Sequence, residues 1–230
     1  MVIDVRFDLE LEHGRCVGIA IPDREEDMAA LASALAPEER VFASGLAPLR
    51  RRTWVAGRSA LRQALARAGF GTAAPVLADD RGAPALPPGI SGSITHKENL
   101  AAALVVRATG ARVGVDVEYD VAGKQDIASR VLAGDELVEL SALDAPARAR
   151  EVLLRFSAKE AIYKALDPFV RRFVGFEEVS VVTKPDGGAR VTSRLRDGEG
   201  PFTVDVRWRR FDGIVLTTAR VGRVDPRGGS

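Results

Sequence analysis

The chain has 230 residues, 46% hydrophobic and 28% charged, enough for a sizeable core and at odds with wholesale disorder. Its 33 Lys and Arg balance 32 Asp and Glu, so no whole-protein field recruits nucleic acid or a membrane, and any anion site must be a local cluster. One cysteine, Cys16, excludes an intrachain disulfide; two histidines, His13 and His96, fit a multi-histidine zinc centre poorly, and a hard cation on oxygen ligands is the better match.

The opening MVIDVRFDLELE lacks the basic-then-apolar pattern of a secretory signal, and no run of about 18 apolar residues follows, so a cytoplasmic protein with no membrane span is expected. Alternation predicts strands near 4–12 and 15–22, then helices over 25–35, from Pro37, and over 49–68, the last stopped at Gly69. A Gly- and Pro-rich stretch, GTAAPVLADDRGAPALPPG, reads as a surface loop before the strands ISGSIT, LAAALVVRA and RVGVDVEY. Helices are expected near 126–132 and 135–143, and a long one over 147–166 that Asp167-Pro168 should stop. Strand-like runs at 177–183, 189–195, 202–209 and 213–221 complete the chain, with PDGG and FDG as turns and VDPRGGS as a frayed tail.

Two of the helices are cousins. AGRSALRQAL (56–65) and SAKEAIYKAL (157–166) align without gaps, and each follows a short segment with an acidic start, PEERVF or GDELVEL. This internal pseudo-repeat predicts two similar α+β halves in one chain, 1–112 and 113–230, with a ligand cleft between them. A chain that holds both halves needs no second copy to build its site, so a monomer is expected.

In VGVDVEYD (113–120) the valines alternate with Gly114, Asp116 and Glu118. On a strand Asp116 and Glu118 share a face with Cα atoms roughly 6.6 Å apart, where like charges repel unless a cation lies between them. In RFSAKEAIYKAL, Glu160 and Lys164 are four residues apart on one helical face. Their bland reading is a solvated ion pair, but the apolar residues around the circumference place them beside buried surface. Asp116, Glu118 and Glu160 together would make an all-oxygen site for Mg²⁺, with Mn²⁺ as the alternative ion and Lys164 beside it for phosphate oxygens.

A basic set balances these acids. On the 49–68 helix Arg51, Arg58 and Arg62 fall within about 40° of one another, next to the run Arg50-Arg51-Arg52. A solvated arginine face is the commoner fate of such residues, yet three arginines in a row with no acidic neighbour form an anion-site signal. Thr95, His96 and Lys97 offer a hydroxyl, an imidazole and an ammonium at a strand end, and Arg81 adds a cation in the preceding loop.

The set of GSITH (92–96), GVDVE (114–118) and FSAKEAIYKAL (156–166), supported by RRRTWVAGR (50–58) and RGAP (81–84), resembles the 4′-phosphopantetheinyl transferases. The likeness is to the larger, two-halved type that serves siderophore, polyketide and nonribosomal peptide synthesis. It implies transfer of the phosphopantetheine arm of coenzyme A to a serine of an apo acyl or peptidyl carrier protein, with Mg²⁺ and release of adenosine 3′,5′-bisphosphate. It further implies Asp116, Glu118 and Glu160 as metal ligands and Lys159 and Lys164 on the coenzyme A phosphates. Thr95 and His96 match a Ser/Thr-His pair that binds coenzyme A, Arg58 with Arg50 matches the 3′-phosphate group, and Arg81 stands where a lysine is common. Glu160 or Glu118, directly or through a water, would take the serine proton. Arg171 and Arg172, flanked by Phe169, Val170 and Phe173, are the candidate docking segment for the carrier protein. A metal-dependent nuclease and a non-catalytic coenzyme A or carrier-binding module are the rival readings; the first would need a basic stripe that the chain lacks, the second would make the acids dispensable.

Overall fold

The computed structural model describes residues 3–71, 74–121 and 127–224. Two compact units divide the chain, Met1–Thr109 and Gly110–Ser230. The boundary expected after residue 112 would cut into strand β5 (Arg112–Tyr119), whose first residue is already paired with Val221.

In the first unit, β1 (Val5–Leu11) and β2 (Gly14–Ala20) form an antiparallel hairpin. Three helices follow, α1 (Glu25–Ser33), α2 (Pro37–Ser44) and α3 (Pro48–Arg67), then β3 (Ile90–Lys97) and β4 (Leu100–Arg107). The strands make one sheet in the order β1-β2-β4-β3. Val17, Ile19, Ala101, Ala103 and Val105 share one face, as a period of two requires, and bury it against Trp54, Ala60, Leu61, Ala64 and Leu65 of α3. Gly57 lets that helix approach closely: a Cβ there would lie 2.9 Å from Ile94 Cγ2.

The second unit begins with β5 and continues through α4 (Ala128–Val131), α5 (Gly134–Leu140) and α6 (Ala145–Val170). A 3₁₀ turn at Phe176–Glu178 leads to β6 (Val179–Thr183), β7 (Ala189–Ser193), β8 (Phe202–Phe211) and β9 (Ile214–Arg223). β5, β9 and β8 form a three-stranded sheet in that order, and β6 and β7 form a separate pair. Ala158, Ala161, Ile162, Ala165 and Leu166 of α6 pack on Val206, Ala219 and Val221. Small residues on the helix face allow the close approach on which the site depends.

Helix α6 departs from the expectation at both ends. It starts two residues early because Asp144 caps it, its Oδ1 accepting from Ala147 N at 2.8 Å. It also runs through Pro168 to Val170 and stops at Arg171, which takes the left-handed conformation at φ 50°. A proline in the last turn removes one hydrogen bond, and packing offsets that loss: Phe169 lies 5.3 Å from Phe202, ring to ring. Residue 126 of the helix expected over 126–132, and all but the first residue of the expected frayed tail, lie outside the described residues. No helix among the described residues is long and apolar enough to cross a membrane.

The pseudo-repeat reaches into the buried polar groups. In each unit a short helix carries a glutamate at its third position, Glu39 on α2 and Glu136 on α5, and both are buried. Each accepts the backbone N–H at its own helix start, Ala36 N at 2.9 Å or Ala133 N at 2.6 Å. Each then reaches a backbone N–H beyond the long helix, Val76 N at 2.8 Å or Val181 N at 2.9 Å. Each also holds a cation of that helix, Arg62 at 2.6 Å or Lys159 at 2.6 Å. Ala36 and Ala133 have no side-chain oxygen to return the cap, so this is half of a capping box turned into a three-way clamp.

Candidate active site

Gly114 sets the geometry of the second unit's site. A Cβ there would sit 1.9 Å from the backbone oxygen of Ala161, so α6 lies directly on β5 at this point and only glycine permits it. The contact fixes which residues meet. One turn of helix away from Ala161 are Ser157 and Lys164, and two residues along the strand is Asp116. Ser157 Oγ donates to Asp116 Oδ2 at 2.9 Å, and Lys164 Nζ donates to Asp116 Oδ1 and to the Val115 carbonyl, both at 2.9 Å.

Asp116 and Glu118 share the α6 face of β5, as the alternation predicts, but they are only 5% and 7% exposed. Val113, Val115 and Val117 on the opposite face are buried as well, so this strand is covered on both sides. Glu160, one turn before Lys164, is partly buried. Burial pushes its carboxyl pKa above the ordinary 4.5, the Lys164 ammonium pulls it back, and the charge of Asp116 pushes it up again.

Among the described residues no group of three His, Cys, Asp or Glu side chains is close enough together to hold a metal ion. The compact cluster expected from Asp116, Glu118 and Glu160 is therefore not preassembled among the described residues, while each oxygen of Asp116 accepts one hydrogen bond, from Ser157 or Lys164. The donor set nonetheless fits a hard divalent cation. All the candidate donors are carboxylate oxygens, and Glu160 carries burial and the repulsion of Asp116 against a single ammonium.

Lys159 is placed differently from the expectation. It is fully buried, and its Nζ donates to Glu136 Oε2 at 2.6 Å and to the carbonyls of Val131 and Phe176 at 2.8 Å. All three ammonium hydrogens have acceptors, so the side chain is a structural tie between α6, α4, α5 and the 3₁₀ turn rather than a phosphate contact.

The remaining residues expected to bind coenzyme A lie in the first unit. Arg58 is buried, donates from Nε to the Val76 carbonyl at 2.7 Å, and stacks 4.7 Å above the Trp54 ring. Burial lowers its pKa to about 10; Glu39 opposes that shift and the charge of Arg50 adds to it, which puts the two guanidiniums in one electrostatic neighbourhood. Arg51 and Arg62 of the same predicted face are instead paired with Glu25 and Glu39. Thr95 and His96 belong to the last turn of pleat of β3, Thr95 buried and His96 exposed. Arg81 is exposed in a loop that Asp79 shapes, its Oδ1 accepting from Arg81 N and Ala83 N at 2.9 Å.

At the expected docking segment, Arg172 does not offer a charge to a partner. Its guanidinium is tied to Glu178 at 2.5 Å and to Glu199 at 2.6 Å. Phe173, by contrast, is 80% exposed. Sequence reasoning missed two further residues. Ser157 lies within FSAKEAIYKAL, where the acids and lysines carry the visible signal, and Thr217 gives only a threonine pair in the mostly apolar strand IVLTTARV.

Comparison with known proteins adds a second line of observation. A family model described as the 4′-phosphopantetheinyl transferase N-terminal domain matches residues 38–106, and one described as the 4′-phosphopantetheinyl transferase superfamily matches residues 112–219. The chain is 32% identical over 211 residues to the 4′-phosphopantetheinyl transferase Svp of Streptomyces mobaraensis, covering 88% of this chain and 83% of that one. It is 31% identical over 194 residues to Npt of Nocardia iowensis, covering 78% and 86%. It is 32% identical over 191 residues to PptT of Mycobacterium tuberculosis, covering 79% and 83%.

Proposed function

The chain belongs to the 4′-phosphopantetheinyl transferase family and is an enzyme that transfers phosphopantetheine from coenzyme A to carrier proteins, and we propose that Asp116, Glu118, Glu160 and Lys164 carry its reaction. The observation that supports this assignment is the hold of Lys164 on Asp116 beside Glu160, inside the segment that the superfamily model matches.

Mg²⁺ held by Asp116, Glu118 and Glu160 would neutralise charge on the pyrophosphate of coenzyme A. Lys164 contributes a further positive charge for the transferring phosphoryl group. Glu160 takes the proton of the carrier serine as its oxygen bonds to the β-phosphorus, and the phosphorus–oxygen bond to adenosine 3′,5′-bisphosphate breaks. Glu160 is preferred to Glu118 as the base because it is only partly buried, whereas Glu118 is 7% exposed and less open to an incoming serine. In the first unit Arg58 with Arg50 receives the 3′-phosphate, and Thr95, His96 and Arg81 contribute donors to coenzyme A.

Intact mass of an apo carrier protein, after incubation with the enzyme, coenzyme A and Mg²⁺, tests the reading. A gain of about 340 Da on the carrier is expected, and EDTA should abolish it. Transfer that persists in metal-free reagents would sink the metal assignment; no gain on several carriers, despite coenzyme A binding, would favour the non-catalytic module.

Arg171 and exposed Phe173 are the candidate docking pair for the carrier, with Arg172 as the brace behind them. Arg171→Glu with Phe173→Asp should raise KM for the carrier by about 10-fold, as loss of an aromatic anchor does, and leave KM for coenzyme A unchanged. Arg172→Glu should lower Tm instead. Steady-state kinetics against carrier and coenzyme A separately, with a melting curve, decides this; unchanged carrier KM in the double variant moves docking elsewhere.

A further inference from the structure

Beneath Asp116 lies a hydroxyl pair that the mechanism above does not use. Thr217 sits directly across the β5–β9 ladder from Asp116 and is 0% exposed, as is Ser157 of α6. Ser157 Oγ is 2.9 Å from Asp116 Oδ2 and 2.9 Å from Thr217 Oγ1, and Thr217 Oγ1 is also 2.9 Å from the Ser157 carbonyl.

Counting protons gives the pair a direction. An ionised carboxylate only accepts, so the single hydroxyl hydrogen of Ser157 belongs to Asp116. Thr217 must then be the donor in its contacts with Ser157, its one hydrogen directed at the Ser157 carbonyl and hydroxyl oxygens. We infer that Thr217 and Ser157 are positioning residues, a buried two-hydroxyl relay that fixes the carboxylate of Asp116 for the cation. Ser157 holds Oδ2 while Lys164 holds Oδ1, so the plane of the carboxylate is set from both sides. The relay joins three elements, β9, α6 and β5, at the row where Gly114 has already brought helix and strand together. In a buried site each such bond is strengthened by the low dielectric, and an outer partner of a metal ligand commonly governs 10- to 100-fold in metal affinity. The inference rests on the assignment of Asp116 as a cation ligand.

Mn²⁺ binding by the full-length enzyme, followed by the paramagnetic resonance of the free ion without coenzyme A, tests it alongside a melting curve in EDTA. Thr217→Val keeps the shape and removes the hydroxyl; its Mn²⁺ Kd should rise about 10-fold. Thr217→Ser restores the hydroxyl and should bring Kd back to within about 3-fold of wild type, even though the lost methyl lowers Tm. Ser157→Ala breaks the relay at its middle, must show the same loss, and replaces Thr217→Val should that variant fail to fold. Wild-type Mn²⁺ affinity in Thr217→Val, or a Thr217→Ser enzyme as weak as the valine variant, overturns the relay alone. A wild-type enzyme that binds no Mn²⁺ overturns the cation assignment and the relay with it.

Discussion

Glu160→Gln should lower kcat by about 10²- to 10⁴-fold near pH 7.5. The substitution keeps the shape of the side chain and the contacts of α6, so the helix still rests on β5 at Gly114. What it removes is a charge and a proton acceptor. A glutamine cannot take the serine proton, and its neutral oxygen is a poorer ligand for a hard cation. Holo-carrier formation followed by mass spectrometry under saturating substrates gives the rate. A kcat within 10-fold of wild type would remove Glu160 from the chemistry and leave Glu118 as the base.

The same substitution should act on stability with the opposite sign. In the metal-free enzyme Glu160 is a carboxylate whose pKa is raised, first by burial and then by Asp116, against the pull of Lys164. Between the ordinary value of 4.5 and the raised one the folded state binds a proton that the unfolded chain does not, so the ionised group carries its full cost above the raised pKa. That cost fades as pH falls through the raised pKa and is absent below 4.5. Glu160→Gln in EDTA should therefore melt above wild type at pH 8, with the difference shrinking as pH falls towards 4.5. Calorimetry across that range reads it, and a variant that melts lower at pH 8 would show that the carboxylate is stabilising. Charge kept for function at a cost to the fold is the pattern expected of a site.

Local pattern carried much of this molecule. Alternation located β1 to β5 within a few residues, and Pro37 and Gly69 marked helix ends, because those signals act over a few residues of backbone. The face shared by Asp116 and Glu118 and the seam with Lys164 follow from two simple periods, and both sit where the periods place them. The rest depended on contacts distant in sequence. Asp167-Pro168 read as a helix stop, but the ring of Phe169 against Phe202 carries the helix past it, and Phe202 is more than thirty residues further on. Arg171-Arg172 read as a cationic pair, yet Glu178 and Glu199 close on Arg172 from segments whose approach no local rule foretells. Thr217 faces Asp116 only because β9 pairs with β5 across a hundred residues of chain.

Lys159→Met should destabilise the enzyme by about 3–5 kcal/mol, the usual cost of removing one partner from a buried ion pair. Methionine fills a similar volume, so the loss is electrostatic. Glu136, 1% exposed, would keep the N–H groups of Ala133 and Val181 but lose its cation, and the carbonyls of Val131 and Phe176 would lose their donor. Denaturant melts measure the loss, and Lys159→Met combined with Glu136→Gln should recover part of it, because the stranded charge is then gone. Helical geometry explains why the two lysines of the motif part company. Glu160 and Lys164 stand about 40° apart on α6, whereas Lys159 is about 140° from Lys164, so a helix that turns Lys164 to Asp116 turns Lys159 into the protein. If Lys159 instead held a coenzyme A phosphate, the methionine variant would melt normally and show a raised KM for coenzyme A. The buried clamp predicts the reverse: a lowered melt and, in whatever fraction stays folded, an unchanged KM.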